Sequence, residues 1–308
     1  MYQAKDFIET RDGLIFAVVA NGLEEDKALC FLRYVHTEGR WHKVDTEQAN
    51  DFLGLHYPQY RHFSTVLDAH LHAVPVADIE CHYQPRKVLR GLLEGEASDA
   101  VLTDLQHLCG LLSGKGLELD QVGVTGSLLV GLQNHASDID LVCYDRSQFH
   151  HARNIVQGLI AEDRCQALND DDWLSAYQRR ACDFALDDYI WHEQRKYNKA
   201  MINQRKFDLS LTIAAPDQAE QCYRKLGQIK IEVEVEDDEY GFDYPARFSL
   251  KHPDIDSIVC FTATYCGQAK AGEWVTVAGQ LEIDQNGRRR IVVGSNREAI
   301  GEFIKVIR

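Results

Sequence analysis

The stretch QVGVTGSLLVGLQNHASDIDLVCY, residues 121 to 144, constrains the fold of this chain more than any other. It predicts four elements in order: a strand at Val122–Val124, a turn at Gly126-Ser127, a short helix from Leu128 to Leu132, and a strand containing Asp138 and Asp140. Side chains two residues apart in a strand point to the same face, so the two carboxylates project together. Paired carboxylates oppose each other's ionisation unless a cation neutralises them, and Mg²⁺ prefers such oxygen ligands.

The Gly-Ser turn adds a second chemical feature. A glycine at position 126 lets the backbone approach a ligand closely, and a helix start offers unpaired N–H groups to a phosphate. Ser127 contributes a hydroxyl at the same place. The stretch therefore predicts a phosphate-binding turn next to a cation site.

Gly126-Ser127 followed by Asp138-Ile139-Asp140 resembles the Gly-Ser/Asp-x-Asp signature of the DNA-polymerase-beta-like nucleotidyltransferase superfamily. The motif covers about twenty residues. The resemblance implies transfer of a nucleotidyl group from a nucleoside triphosphate, with Mg²⁺ or Mn²⁺ as cofactor. The overall layout also resembles a group of uncharacterised archaeal and bacterial nucleotidyltransferases with extra modules on both sides of the core.

A third carboxylate is commonly found on a nearby strand in the superfamily. The run Phe207–Ile213 alternates like a strand and places Asp208 between apolar neighbours. Asp208 therefore fits this role best, and the resemblance implies that it is a catalytic and metal-binding residue beside Asp138 and Asp140. Three competitors lie in helix-like or capping contexts: Asp183, Asp187 and Asp188.

Basic residues are concentrated between Trp191 and Leu211. A helix predicted from Asp187 to Met201 would place Arg195 and Lys199 on one face, with Lys196 beside them. That face could bind a triphosphate, or it could be an ordinary solvated helix side. The sequence leaves both interpretations open.

The chain is predicted to be an α+β protein with three domains. These are an N-terminal α+β module (residues 1–85), a nucleotidyltransferase core with a mixed sheet and helices (86–227), and a C-terminal β-rich domain resembling a small OB-like barrel (228–308). His70 and His72 would share a strand face in the first module. A zinc site is one interpretation, and histidines satisfied by other partners are the more common alternative.

Composition limits the class of protein. Of the 308 residues 45% are hydrophobic and 26% charged, as in ordinary globular proteins, and the net charge of −15 argues against extended DNA binding. Nine cysteines without a C-x-x-C pair indicate reduced thiols. Without an apolar run long enough for a membrane span or a signal peptide, we expect a cytoplasmic protein with no membrane partner.

The sequence thus favours a metal-dependent nucleotidyltransferase that uses a nucleoside triphosphate and a hydroxyl acceptor on RNA, a small molecule or a protein. Its predicted nucleotide-binding residues are Gly126, Ser127, Arg195, Lys196 and Lys199. One alternative is a nucleotide-binding or regulatory protein without turnover. Another is an RNA-binding adaptor that acts through the C-terminal barrel, where Arg288-Arg289-Arg290 lies on the predicted rim.

Overall fold

A computed structural model describes residues 1–65, 69–180, 182–213, 223–295 and 299–308. These residues form a mixed α+β fold with three sheets and six α-helices. The chain separates into two compact units. The first unit consists of Met1–Ile155 with Met201–Pro216, and the second consists of Val156–Ala200 with Asp217–Arg308.

The N-terminal sheet belongs to the first unit. Its strands are β1 Phe7–Thr10, β2 Leu14–Val18, β3 Lys27–Thr37, β4 Arg40–Lys43, β5 Arg61–Ser64, β6 Ala69–Pro75 and β7 Ile79–Tyr83. They pair in the order β5-β6-β3-β2-β1-β7, and β4 pairs with β3. Helix α1, Thr46–His56, covers one face and buries Ala49 and Leu53 against it. Asp45 starts this helix by accepting a hydrogen bond from the N–H of Gln48, because the first turn of a helix has unpaired donors.

The central sheet follows two helices, α2 Pro85–Glu94 and α3 Ala100–Gly114. The remaining elements are β8 Val122–Thr125, β9 Ile139–Cys143, α4 Arg146–Ala161, β10 Lys199–Ile202 and β11 Arg205–Leu211. The sheet order is β10-β11-β9-β8, with β8 antiparallel and β11 parallel to β9. Both strands predicted in the stretch 121–144 are confirmed, and the strand predicted at Phe207–Ile213 is confirmed as β11, which ends at Leu211.

The second unit contains helices and a third sheet. Its elements are α5 Asp170–Arg180, α6 Leu186–Gln194, β12 Tyr223–Asp237, β13 Ala246–Leu250, β14 Ser257–Cys260, β15 Trp274–Asp284, β16 Arg289–Val293 and β17 Phe303–Val306. The sheet order is β12-β13-β14-β16-β15-β17, and β12 also pairs with β15. The pairings from β12 through β13, β14, β16 and β15 therefore return to β12. Trp173, Phe184 and Tyr189 pack into the core of this sheet.

The basic helix predicted from Asp187 to Met201 is wrong in its second half. Helix α6 ends at Gln194. Tyr197 has a φ of 51°, which lies in the left-handed region and is incompatible with a right-handed α-helix. Lys199 lies instead on β10. Asn203 and Gln204, with φ of 48° and 65°, then form the two-residue turn into β11 that a hairpin of this kind requires. Arg195 and Lys199 consequently do not share a helix face.

Candidate functional site

Asp140 and Asp208 lie side by side on neighbouring strands. The parallel register of β9 and β11 pairs these two residues and also pairs Ile139 with Phe207. The apolar pair is fully buried, whereas both carboxylates are half-buried on the opposite face. Strand periodicity alone places each carboxylate away from the core, but only the register brings the two together.

Gly126 brings the Gly-Ser turn into direct contact with the carboxylate of Asp140. Thr125, at the end of β8, is the register partner of Asp140, and Gly126 follows it with a φ of 69°. A β-carbon on residue 126 would lie 2.4 Å from Oδ2 of Asp140. A larger residue would be strained by the left-handed backbone and would also displace the carboxylate.

The predicted helix after the turn is a single 3-10 turn, Leu128–Val130, which ends at Gly131. Ser127 precedes it, and the Ser127 carbonyl accepts a hydrogen bond from the N–H of Leu132. One short turn lacks the dipole and the set of aligned N–H groups that an α-helix offers to a phosphate. Phosphate binding by the N–H groups of a helix N-terminus, which the sequence predicted here, is therefore not supported. The Gly-Ser turn itself nevertheless lies at the site.

Arg205 fixes the loop that leads into Asp138. Its Nη1 donates to the carbonyls of His135 at 3.0 Å and Ser137 at 2.7 Å, and its Nε donates to Oδ2 of Asp104 at 2.7 Å. Asp138 follows this loop directly, is exposed, and immediately precedes β9. Sequence reasoning noted Arg205 only as part of a basic run, because nothing local shows that it contacts a loop far along the chain.

The site concentrates negative charge. Burial, together with the charges of Asp208 and Asp138, raises the pKa of Asp140 to about 6, while Lys5 and Lys43 act in the opposite direction. Asp208 and Asp138 therefore both lie within electrostatic range of Asp140. The two lysines belong to the N-terminal sheet and the segment just before it, from which the sequence offered no nucleotide-binding candidate.

The N-terminal sheet covers the Gly-Ser turn with the face opposite α1. Phe7, Ile15 and Tyr34 from this sheet pack against Leu129 of the 3-10 turn. The hydroxyl of Thr125 also donates to the carbonyl of Lys5 at 3.0 Å. The sheet is therefore a wall of the site.

Arg195, Lys196 and Lys199 are each engaged by carboxylates in the second unit. Arg195 donates to both oxygens of Glu273 at 2.7 Å, and buried Lys196 donates to Glu193 at 2.5 Å and to the carbonyl of Thr264 at 2.9 Å. Lys199 donates to the other oxygen of Glu193.

Burial opposes the ionisation of Glu193, but the charges of Lys196 and Lys199 outweigh it and lower its pKa to about 2. Burial also disfavours the charged form of Lys196 and lowers its pKa, although the charge of Glu193 acts in the opposite direction. These cations thus serve buried or partly buried ion pairs. The role predicted for these three cations in triphosphate binding stays a prediction. The shared helix face that suggested this role does not exist, because α6 ends at Gln194.

His72 is satisfied by protein partners. Its Nδ1 accepts from the N–H of Leu32 at 3.0 Å, and its Nε2 then carries the proton and donates to Asn50 at 2.9 Å. Within the described ranges, no group of three or more His, Cys, Asp or Glu residues could hold a metal ion by itself. Mg²⁺ is commonly held by only one or two carboxylates, with substrate phosphates and water as the other ligands.

The fold and the site together define an α+β protein in which two carboxylates lie in register on neighbouring strands and one of them, Asp140, contacts a glycine turn. The part of the chain that the structure describes has no helix with both the length and the apolar character needed to cross a bilayer. No family model and no solved structure matches the chain. It is 33% identical to uncharacterised protein MJ1086 of Methanocaldococcus jannaschii, over 99% of this chain and 98% of that protein. The chain therefore belongs to the same family as this archaeal protein.

Proposed function

We propose that this protein is a metal-dependent nucleotidyltransferase that moves a nucleoside monophosphate from a nucleoside triphosphate to a hydroxyl acceptor. The observation that carries the proposal is the placement of Asp140, held against Gly126 on one side and in register with Asp208 on the other. Transfer of a phosphoryl group depends mainly on positioning and on neutralising charge. A rigid, charged pair of strands next to a close-approach turn suits both requirements.

The donor set fits Mg²⁺ or Mn²⁺, because these ions prefer carboxylate oxygens. Asp140 and Asp208 would hold the ion, and the exposed carboxylate of Asp138 lies close enough in sequence to join them. When bound, the ion neutralises phosphate oxygens and the charge of the departing pyrophosphate. A site completed by substrate phosphates is consistent with a protein that offers only a few carboxylates.

The proposed step is a substitution at the α-phosphorus. The acceptor hydroxyl oxygen forms a bond to this atom, the bond to the oxygen bridging the α- and β-phosphates breaks, and pyrophosphate leaves with the bonding electrons. The hydroxyl proton passes to Asp208. We assign this role to Asp208 because β11 lies one strand farther from the Gly-Ser turn than β9, on the side away from the phosphates. Gly126 and Ser127 would contact the phosphates through the turn.

We also propose that the central sheet with its helices is a nucleotidyltransferase core and that the third sheet is an OB-like barrel. The barrel is supported by the pairings of β12, β13, β14, β16 and β15, which return to their starting strand. The parallel pair β14 and β16 lies among otherwise antiparallel neighbours.

The alternative of an RNA-binding adaptor depends on the basic rim of the third sheet. Arg290 of the predicted basic rim donates to Glu282 at 2.8 Å and lies 3.3 Å above the ring of Tyr223. A double substitution of its exposed neighbours, Arg288→Glu with Arg289→Glu, tests the adaptor directly. An adaptor would lose RNA affinity, whereas the transferase would retain release of pyrophosphate.

The decisive experiment supplies each nucleoside triphosphate, labelled at the α-phosphate, with Mg²⁺ or Mn²⁺ and with total RNA, protein or small-molecule extract as acceptor. We expect label transfer by the native chain and its loss in Asp140→Asn and Asp208→Asn. Asp120→Asn is the matched control, because this carboxylate is exposed and lies before β8. Transfer that persists in an Asp140→Asn, Asp208→Asn double variant would refute the mechanism. Binding of nucleotide without transfer would favour the inactive nucleotide-binding protein.

A further inference from the structure

Strand β4 presents a lysine on the side of the N-terminal sheet that covers the Gly-Ser turn. The antiparallel register of β3 and β4 pairs Tyr34 with Lys43 and His36 with Trp41. Residues in register share a sheet face, so Lys43 lies on the same face as Tyr34 and Trp41. Tyr34 is buried against Leu129, next to the turn, and Trp41 packs at the edge of the same cluster. The exposed side chain of Lys43 therefore leaves the sheet at the site.

A second lysine is held at the site by its backbone. The carbonyl of Lys5 accepts the hydroxyl of Thr125, the register partner of Asp140, and the N–H of Lys5 donates to Val18 at 3.0 Å. Lys5 itself has a φ of 80° and a half-buried side chain. These backbone bonds fix the starting point of the side chain without using its ammonium group.

The charges of the site require cations beyond a metal ion. A triphosphate brings several negative charges to a place where Asp138, Asp140 and Asp208 already repel them. Lys5 and Lys43 are two cations that the bond to Thr125 and the register of β3 with β4 place on this side of the site. A lysine ammonium offers three donors, and hydrogen bonds between charged groups are among the strongest that a protein makes to a phosphate.

Resting on the function proposed above, we propose that Lys43 and Lys5 bind the β- and γ-phosphates of the nucleoside triphosphate. The N-terminal sheet is then the phosphate-binding wall of the nucleotide site. The lysines hold the part of the substrate that leaves as pyrophosphate, and the carboxylates hold the part that is transferred. Nucleoside monophosphates lack the β- and γ-phosphates, so these two lysines contribute little to their binding.

The test is a binding titration of the full chain with Mg²⁺ and ATP, GTP, CTP, UTP, AMP or inorganic triphosphate. Lys43→Met should weaken binding of the preferred triphosphate and of inorganic triphosphate by about ten-fold or more, and binding of AMP by less than about two-fold. Arg40→Met is the matched control, because Arg40 lies on the same strand with its side chain on the opposite face. It removes the same charge and should leave all affinities unchanged. Equal triphosphate affinities of Lys43→Met and the native chain would overturn the inference.

Lys5→Met provides a second variant, because the backbone bonds of Lys5 survive a change of side chain. It should show the same selective loss of triphosphate affinity. Release of pyrophosphate by the native chain, measured in parallel with the acceptor extracts used in the transfer assay, separates this inference from the proposed function. Selective loss of affinity in a chain that releases no pyrophosphate supports the wall and refutes the transferase. Release of pyrophosphate with unchanged affinity in both lysine variants refutes the wall alone, and a native chain that binds no triphosphate refutes both.

Discussion

Oδ2 of Asp140 occupies space that a β-carbon on residue 126 would need, at a distance of 2.4 Å. Gly126 also has a φ of 69°. The residue must therefore be glycine for two independent reasons, one conformational and one steric. The second reason connects the turn to the carboxylate and gives the Gly-Ser motif a physical role in positioning Asp140.

Gly126→Ala should consequently impair the site more than the backbone strain alone explains. Gly131→Ala is the control, because Gly131 has a φ of 67° and a β-carbon there would meet no atom of the described residues within 4 Å beyond its chain neighbours. Both variants should lose about 1–2 kcal/mol of stability from the left-handed backbone. Only Gly126→Ala should also lose about a hundred-fold in label transfer, because Asp140 must move by a substantial part of an ångström. Urea unfolding and the transfer assay measure the two effects, and equal transfer by the two variants would contradict the positioning role.

Asp140→Asn should stabilise the fold while it removes activity. Burial and the neighbouring carboxylates raise the pKa of Asp140 to about 6, so the ionised side chain destabilises the folded state at neutral pH. Removing this charge should raise the free energy of unfolding by about 1–3 kcal/mol in the presence of a metal chelator. Asp120→Asn should change it little, because exposed surface substitutions have small effects. A lower melting temperature for Asp140→Asn than for the native chain would argue for a structural role instead.

Arg205→Met should release the loop before Asp138 and destabilise the first unit. The substitution leaves the buried carboxylate of Asp104 without its ion pair, which costs roughly 3 kcal/mol. The double variant Asp104→Asn, Arg205→Met should recover part of that stability, because no uncompensated charge remains. Transfer should stay low in both variants, since neither anchors the carbonyls of His135 and Ser137. Chemical unfolding and label transfer together test this, and full activity in Arg205→Met would exclude the anchoring role.

Because of His192, the free energy of unfolding should decrease when the pH is lowered from neutral to mildly acidic values. Its Nδ1–H donates to the carbonyl of Asp188 at 2.6 Å and its Nε2 accepts the N–H of Val306 at 3.0 Å, so the buried ring is neutral. Burial lowers the pKa of His192 from 6.5 to about 4 in the folded chain, and Lys196 and Arg195 also disfavour its charge. The unfolded chain therefore takes up a proton that the folded chain does not as the pH falls from about 6.5 to about 4.

The stability lost over this pH range should reach up to about 3 kcal/mol. His192→Gln should be less stable at pH 8, because it loses one buried hydrogen bond, but its stability should fall less steeply between these pH values. His42→Gln, at an exposed position of β4, should keep the native pH dependence. Unfolding curves collected across the range measure these slopes, and identical slopes for the native chain and His192→Gln would disprove the assignment.

Local sequence patterns identified the elements that carry the site. An apolar run located β8, and alternation of apolar and polar residues located β9 and β11. These signals depend on side-chain periodicity, which can be recognised in any short stretch of sequence. The same alternation drew attention to Asp138 and Asp140, whereas Asp208 was selected because the resemblance to the nucleotidyltransferase superfamily implies a third carboxylate.

Such local patterns could not predict contacts between distant parts of the chain. The register of β9 and β11 pairs Asp140 with Asp208, and the N-terminal sheet brings Lys43 to the site. The predicted basic helix ends at Gln194, and the partner of Arg195 is Glu273, which no local pattern connects to it. Periodicity tells which side of a strand or helix faces a core, whereas the free energy of packing and of burying charge decides which side chains meet.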